Sequence, residues 1–220
     1  MLHVFFHGFY RLHVQGVERV PASGACLLAA NHVSFFDPPL VGTPIKSRGT
    51  HFLARASLFK GPLGWLITRL NTIPLEDQSG DIRAIRTVIE RLGLGQAVVV
   101  FPEGSRSWDG AMQPCRDGVR MIVRRAKCPV VPVAIEGAFD AWPRTRKLPR
   151  LFGCRIAVSY GEPIEHGLIE GEGGTDLLAQ AIDAQRLELR KVLRSRTGGV
   201  YPPASAGDRS YLSGAGDRPA

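Results

Sequence analysis

The amino-acid sequence predicts an α/β fold in which a mixed, largely parallel β-sheet is flanked by helices. Short apolar runs alternate along the chain with segments of helical periodicity, and this alternation is typical of largely parallel sheets. The length of 220 residues, with 44% hydrophobic and 22% charged residues, fits one domain with a substantial core. We therefore expect a single sheet whose functional loops follow the carboxyl ends of its strands.

Four apolar runs have the length and residue types of buried strands. In chain order they are Ala25–Ala30, Gln96–Phe101, Val130–Ile135 and Arg155–Tyr160. Helical segments are predicted at Pro62–Leu70, Gly80–Leu92, Asp117–Lys127 and Thr175–Leu193. The clearest of these helices is Gly80–Leu92, because its aliphatic residues recur every three or four positions and Gly93 follows as a terminator.

The two ends of the chain differ in composition from this core, which spans residues 11–195. The aromatic start, residues 1–10, is predicted to be either a membrane-interface segment or the first element of the domain. Residues 196–220 are mostly Gly, Pro, Ser, Ala and Arg, so this tail is predicted to be disordered. No apolar run reaches the roughly 18 residues that a membrane-spanning helix needs.

The charge favours an anionic partner, because the net charge is +8 and the pI is near 9.8. The excess is concentrated in residues 106–150, where ten basic residues stand against four acidic ones. Some of these residues can simply form solvated helix faces. Aromatic residues are rarely interleaved with the basic ones, and there is no recognisable nucleic-acid-binding motif, so nucleic acid is not the predicted partner.

The string Asn-His-Val-Ser-Phe-Phe-Asp-Pro at residues 31–38 places a histidine and a carboxylate directly after the first apolar run. A carboxylate near a histidine can orient the ring and stabilise its charged form, as in a general base and its partner. Pro38 disfavours a helical conformation at Asp37, so His32 and Asp37 are expected to straddle a turn. By itself the pair can equally be a structural contact. A metal site is disfavoured, because no second histidine or cysteine cluster lies at ligand spacing.

The string Phe-Pro-Glu-Gly-Ser-Arg-Ser at residues 101–107 places a glycine-centred turn after the second apolar run. Such a turn can hold an anion with its N–H groups, and Arg106 adds a fork that grips phosphate. Ser105 is not in a Gly-x-Ser-x-Gly elbow, which disfavours a serine hydrolase. No nucleotide-binding glycine motif is present. Both strings follow predicted strands, so they are expected at the same edge of the sheet.

Taken together, the two strings resemble the glycerophospholipid acyltransferase family, in particular the 1-acyl-sn-glycerol-3-phosphate (lysophosphatidic acid) acyltransferases. The stretch 58–66 with Ile73–Leu75 resembles the middle motif of that family, and Val130–Ile135 resembles its last motif. Four motifs in the right order and spacing cover roughly residues 11–163. The resemblance implies one domain of the glycerol-3-phosphate acyltransferase type, with neither a metal nor a cofactor.

The resemblance also implies catalytic roles. His32 is the general base that takes the proton of the acceptor hydroxyl, and Asp37 orients His32 and stabilises its charged form. The acceptor oxygen then attacks the thioester of acyl-CoA or acyl carrier protein without an acyl-enzyme. The implied acceptor is the lysophospholipid lysophosphatidic acid, and the product is phosphatidic acid.

Other residues are implied in substrate binding. Glu103 and Gly104, with the neighbouring N–H groups, shape the acceptor site, and Arg106 binds the acceptor phosphate. Pro132 and its neighbours belong to the acyl-donor side or support the site. The further candidates for substrate binding are Ser105, Arg69 and Arg116.

One position departs from the family pattern. Where the family often has an arginine after Ile-Pro-Val, this chain has Glu76 and Asp77, and a carboxylate there would repel a phosphate. Either Arg69 or Arg83 compensates, or the acceptor is another lysolipid such as lyso-ornithine lipid. A thioesterase that uses water and a non-catalytic basic lipid-binding module remain as alternatives.

A lysolipid acceptor implies contact with a membrane. We expect peripheral or shallow binding at the cytoplasmic side of the cell membrane, through the aromatic start and the basic stretch. Each suitably placed basic residue contributes about 1 kcal/mol near an anionic bilayer. The four cysteines include no Cys-x-x-Cys pair, which fits a reducing compartment.

Overall fold

A computed structural model describes residues 2–59, 71–75 and 80–212. Within these ranges, seven strands form one mixed sheet in the order β1-β7-β6-β2-β5-β3-β4. The strands are β1 (His13–Gln15), β2 (Cys26–Ala30), β3 (Thr50–Arg55), β4 (Thr72–Leu75), β5 (Ala97–Val100), β6 (Val130–Glu136) and β7 (Ala157–Tyr160). Strand β7 runs antiparallel to β6, and all other neighbouring pairs are parallel. The predicted fold class is confirmed.

The helices in the described ranges cover both faces of this sheet. They are α1 (Leu2–Tyr10), α2 (Asp37–Gly42), α3 (Gly80–Gly93), α4 (Gly118–Ala126), α5 (Ala138–Ala141), α6 (His166–Glu170) and α7 (Gly174–Ser195). The helices predicted at residues 80–92, 117–127 and 175–193 correspond to α3, α4 and α7 within two residues at each end. The helix predicted at residues 62–70 lies outside the described residues.

Alternating side chains of β2 divide the core into two halves, because successive residues of a strand point to opposite faces. Leu28 and Ala30 pack on the side of α1 and α2, in a cluster that includes Phe36. Leu27 and Ala29 pack on the other side, with buried residues of α3, α4 and α7. All five residues of β2 are buried, so this strand is the centre of the molecule.

The aromatic start of the chain forms α1, and its inner face is part of the core. Phe6 and Tyr10 are buried and contact the ring of Phe36, with centroid distances of 5.3 and 5.4 Å. Val4 and Phe9 on the same helix are exposed. Of the helices in the part of the chain that is described, none combines the length and the apolar character needed to cross a bilayer.

Residues 196–212 do not show the disorder that their composition predicts. Arg186 on α7 is fully buried and donates to the carbonyl oxygens of Gly207 and Arg209 at 2.5 and 2.9 Å. Arg190, one helical turn later, donates to the carbonyl of Pro203 at 2.6 Å. The prediction of disorder rested on the shortage of aliphatic side chains in this segment. The segment is instead ordered by hydrogen bonds from the buried guanidinium groups of α7 to its main-chain carbonyl oxygens. The prediction for residues 213–220 falls outside the described ranges.

Candidate active site

The two strings singled out by sequence meet at one edge of the sheet. Strands β2 and β5 are parallel neighbours with Ala29 opposite Val100, so the loops that follow them begin side by side. The main-chain N–H of His32 donates to Oε1 of Glu103 at 2.6 Å. The carbonyl of His32 accepts from the N–H of Ser107 at 2.7 Å. The backbone of His32 is therefore fixed on both sides by the second string.

The imidazole of His32 is held by Asp37 across a tight turn. Nδ1 of His32 lies 2.7 Å from Oδ2 of Asp37, and the same oxygen accepts from the N–H groups of Val33 and Ser34 at 2.6 and 2.7 Å. Asp37 is fully buried at the start of α2, with Pro38 next to it, where the helix dipole favours a negative charge. Because Nδ1 donates to the carboxylate, Nε2 is the ring nitrogen left to act on a substrate. The His32 side chain is 19% exposed.

Three side chains that sequence reasoning did not assign complete this arrangement. The ring of Phe101 stacks on the imidazole ring of His32, with a centroid distance of 4.1 Å. The amide of Asn31 donates to and accepts from the backbone of Ile135 at 2.9 and 2.7 Å, which joins the ends of β2 and β6. The ring of Trp142 packs on Phe35 at 4.9 Å. Asn31 and Phe101 belong to the two strings, so their positions in the sequence could have indicated that they lie at the site.

Glu103 is a buried carboxyl whose two oxygens bind main-chain N–H groups. Oε1 binds His32, and Oε2 accepts from the N–H of Gln113 at 3.0 Å. Burial raises the pKa of Glu103 from 4.5 to about 8, against the opposing effect of the two N–H donors. Glu103 therefore shapes the site by holding the loop of residues 101–113 on the backbone of His32.

Replacing Glu103 by Gln is expected to destabilise the protein and to remove a pH dependence of its stability. The unfolded carboxyl ionises near pH 4.5 and the folded one near pH 8. Ionisation therefore favours the unfolded chain between these values, and the free energy of unfolding of the wild type falls as the pH rises through this window. In Glu103→Gln the amide nitrogen faces an N–H donor, which costs about 1–3 kcal/mol.

Urea unfolding between about pH 4 and about pH 9 measures both effects. Glu90→Gln, on the exposed side of α3, is the matched control and should keep the wild-type profile. An equal pH slope in the wild type and in Glu103→Gln would show that the Glu103 carboxyl does not titrate in this window.

Gly104 forms the turn that carries the rest of the second string. Its φ of 74° is left-handed, and a Cβ on it would collide with the side chain of Arg116. Nε of Arg116 donates to the carbonyl of Glu103 at 3.2 Å, so Arg116 supports this loop. The N–H of Gly104 donates to the carbonyl oxygen of Phe101 at 2.9 Å. It is therefore not available to bind an anion, the role that the sequence suggested for the N–H groups of this turn. Ser105 is exposed.

The guanidinium group of Arg106 lies beside the histidine turn. Its central carbon is 3.5 Å from the centroid of the Phe35 ring, three residues after His32. A guanidinium group stacked in this way presents its N–H edge to an anion. The geometry thus brings together His32, Asp37, Glu103 and Arg106.

The other predicted site residues lie elsewhere. Pro132 lies inside β6, opposite Ala29, so it supports the sheet. Arg83 is exposed on α3. Arg69 falls outside the described residues, as do Glu76 and Asp77.

Known acyltransferases are similar to this chain over more than half of its length. The family model named Acyltransferase matches residues 11–136. A chloroplastic 1-acyl-sn-glycerol-3-phosphate acyltransferase of Brassica napus is 29% identical over 145 residues, which are 64% of this chain and 41% of that protein. The 1-acyl-sn-glycerol-3-phosphate acyltransferase of Bacillus subtilis is 27% identical over 125 residues, 56% of this chain and 62% of that protein.

A solved structure agrees with the fold described above. It is the 1-acyl-sn-glycerophosphate (LPA) acyltransferase PlsC from Thermotoga maritima, with a TM-score of 0.72 and 29% identity over 86% of this chain and 76% of that chain. The matched part of this chain spans 41% to 62% of the two curated relatives named above. The family model covers more than half of the sequence and includes both strings and β6. The chain therefore belongs to the Acyltransferase family.

Proposed function

We propose that this chain transfers a fatty acyl group from acyl-CoA or acyl carrier protein to the free hydroxyl of lysophosphatidic acid, giving phosphatidic acid. The observation that carries the proposal is the His32–Asp37 pair, fixed at the sheet edge beside the guanidinium group of Arg106. The names of the relatives and of the structural neighbour support the same acceptor.

His32 acts as the general base in this reaction. Nε2 takes the proton of the acceptor hydroxyl while Nδ1–H stays bonded to Asp37, whose carboxylate stabilises the imidazolium. The acceptor oxygen forms a bond to the thioester carbonyl carbon, and the carbon–sulfur bond then breaks. The leaving thiolate takes the proton back from the imidazolium, so no acyl-enzyme forms. A general base of this kind contributes about 10²–10⁴-fold to the rate.

Arg106 holds the phosphate of the acceptor. Its contact with the Phe35 ring holds the guanidinium group close to the histidine turn. A fixed fork of this kind binds a phosphate through two parallel hydrogen bonds. This contact aligns the free hydroxyl of the acceptor with His32 and selects acceptors that carry a phosphate.

The acceptor reaches the site from a membrane surface on the cytoplasmic side. Phe9 of α1 and Phe152 contact each other with a centroid distance of 5.7 Å, and Phe152 is 72% exposed. Residues 141–155 contain no acidic residue, and three exposed basic residues lie close in sequence to Phe152. They are Arg146, Lys147 and Arg150. An exposed aromatic pair with basic neighbours suits the interface of an anionic bilayer.

A panel of acceptors tests the proposal. The purified protein is given acyl-CoAs of several chain lengths and one acceptor at a time, in mixed micelles and in anionic vesicles. We expect phosphatidic acid from lysophosphatidic acid, with little product from uncharged lysolipids. Arg106→Ala should reduce this preference about tenfold or more. Equal rates with lyso-ornithine lipid would assign another acceptor, and CoA release without any lysolipid would show a thioesterase.

A further inference from the structure

The segment Trp142–Arg146 is attached directly to the turn that carries His32. The carbonyl of Trp142 accepts from Oγ of Ser34 at 2.9 Å and from the N–H of Phe35 at 3.3 Å. The Trp142 ring also packs on Phe35 and on Phe36, with centroid distances of 4.9 and 5.0 Å. These contacts hold Trp142, two residues before Arg144, against the turn that carries His32.

Arg144 also contacts the loop that carries Arg106. Nη1 of Arg144 donates to the carbonyl oxygen of Arg106 at 2.9 Å. The central carbon of its guanidinium group lies 3.6 Å from the centroid of the Trp108 ring, and Trp108 is 69% exposed. Arg106 and Arg144 thus have similar surroundings, because each guanidinium group lies over an aromatic ring, Phe35 of the histidine turn for Arg106 and Trp108 for Arg144.

This arrangement fixes a second cation on the loop that carries Arg106. The bond to Arg106 uses one of the five N–H donors of Arg144, and the contact with the ring of Trp108 uses none of them. Asp109, a carboxylate on the same loop, is ion-paired with Arg209 and accepts a hydrogen bond from Ser107. Its charge is thus already engaged by Arg209.

We propose that Arg144 is a second phosphate-binding residue, which works beside Arg106 and determines the preference for an acceptor with a phosphomonoester headgroup. This inference rests on the proposed function. Two stacked guanidinium groups can share the oxygens of one dianionic phosphate, whereas a lysolipid without a phosphate gains nothing from the second arginine.

Steady-state kinetics of Arg144→Gln and Arg144→Lys test this assignment. With lysophosphatidic acid as the varied substrate, Arg144→Gln should raise KM about tenfold or more and change kcat little. Arg144→Lys should restore part of this loss, because the charge remains but the fork does not. The KM for acyl-CoA and the rate with an uncharged lysolipid should stay as in the wild type. Arg86→Gln, an exposed arginine on α3, is the control for loss of a positive charge.

Three outcomes would overturn the assignment, and each is distinct. An unchanged KM for lysophosphatidic acid in Arg144→Gln would show that Arg144 does not contact the acceptor. A raised KM for acyl-CoA alone would place the phosphates of the donor there instead. An equal fall of kcat with charged and uncharged acceptors would show that Arg144 only supports the loop of Arg106. If the wild type does not use lysophosphatidic acid at all, the proposed function itself fails.

Discussion

His32→Gln is expected to lower kcat for acyl transfer by about 10²–10⁴-fold while the protein stays folded. The loss follows because glutamine cannot take the proton of the acceptor hydroxyl. The fold should survive, since the hydrogen bonds of His32 to Glu103 and Ser107 come from its backbone. Transfer of a radiolabelled acyl group to lysophosphatidic acid measures the rate, and circular dichroism with a thermal midpoint checks the fold.

The chain offers a matched control on α6. His166 Nδ1 lies 2.7 Å from Glu170 Oε1, the same distance as in the His32–Asp37 pair. His166→Gln removes a histidine–carboxylate pair with the same nitrogen–oxygen distance away from the site, so it should keep the wild-type rate. Full turnover in His32→Gln, or an equal loss in both variants, would exclude His32 as the base.

Asp37→Asn should lower kcat by about 10²–10⁴-fold without unfolding the protein. The amide oxygen of asparagine can still accept from the N–H groups of Val33 and Ser34, so the turn is retained. The negative charge that stabilises the imidazolium is lost, and the ring orientation is less strictly fixed. The KM for either substrate should change little, because Asp37 is fully buried and touches no substrate.

The decisive readout for Asp37 is kcat against pH in the wild type, Asp37→Asn and Glu170→Gln. A role in stabilising the charged imidazole predicts a reduced kcat and an altered pH profile in Asp37→Asn alone. A purely structural role would instead lower the thermal midpoint and leave the pH profile of the remaining active protein unchanged. Glu170→Gln, which removes the carboxylate of the control pair, should match the wild type in both respects.

The position of the site could be predicted from sequence because it depends on short-range signals. Buried strands are visible as apolar runs, and loops at the carboxyl ends of neighbouring parallel strands meet. His32 lies shortly after the end of β2, and Glu103 lies shortly after the end of β5. Their proximity could therefore be predicted once the two strands were taken as neighbours. Strands β1, β3 and β4 were missed, because β1 has only three residues, residues 50–55 have mixed polarity, and the short run 72–75 gives no clear period.

The reversal of β7 depends on what lies between the strands. A parallel return needs a crossover connection, usually with a substantial helix, whereas β6 and β7 are joined by the four-residue helix α5 and a loop. That loop brings Trp142 to the histidine turn and Arg144 to the loop that carries Arg106. No local signal in the sequence indicates these contacts, because they join residues more than thirty positions apart.

The role of Glu103 and the order of residues 196–212 share a physical cause. Both depend on buried polar groups that find main-chain partners far away in sequence, Glu103 with His32 and Arg186 with Gly207. The family resemblance implies a substrate-binding role for Glu103, and composition predicts disorder for a segment poor in aliphatic residues. The partner that satisfies each buried group appears only in the folded chain.

Direct attack of an acceptor hydroxyl on the thioester is tested most directly by thiol release from an acyl-labelled donor, followed with and without lysophosphatidic acid. We expect release only when the acceptor is present, one thiol for each phosphatidic acid formed, and no label on the protein. Thiol release at the same rate without acceptor, or a burst that leaves the acyl label on the protein, would contradict a His32-activated direct transfer.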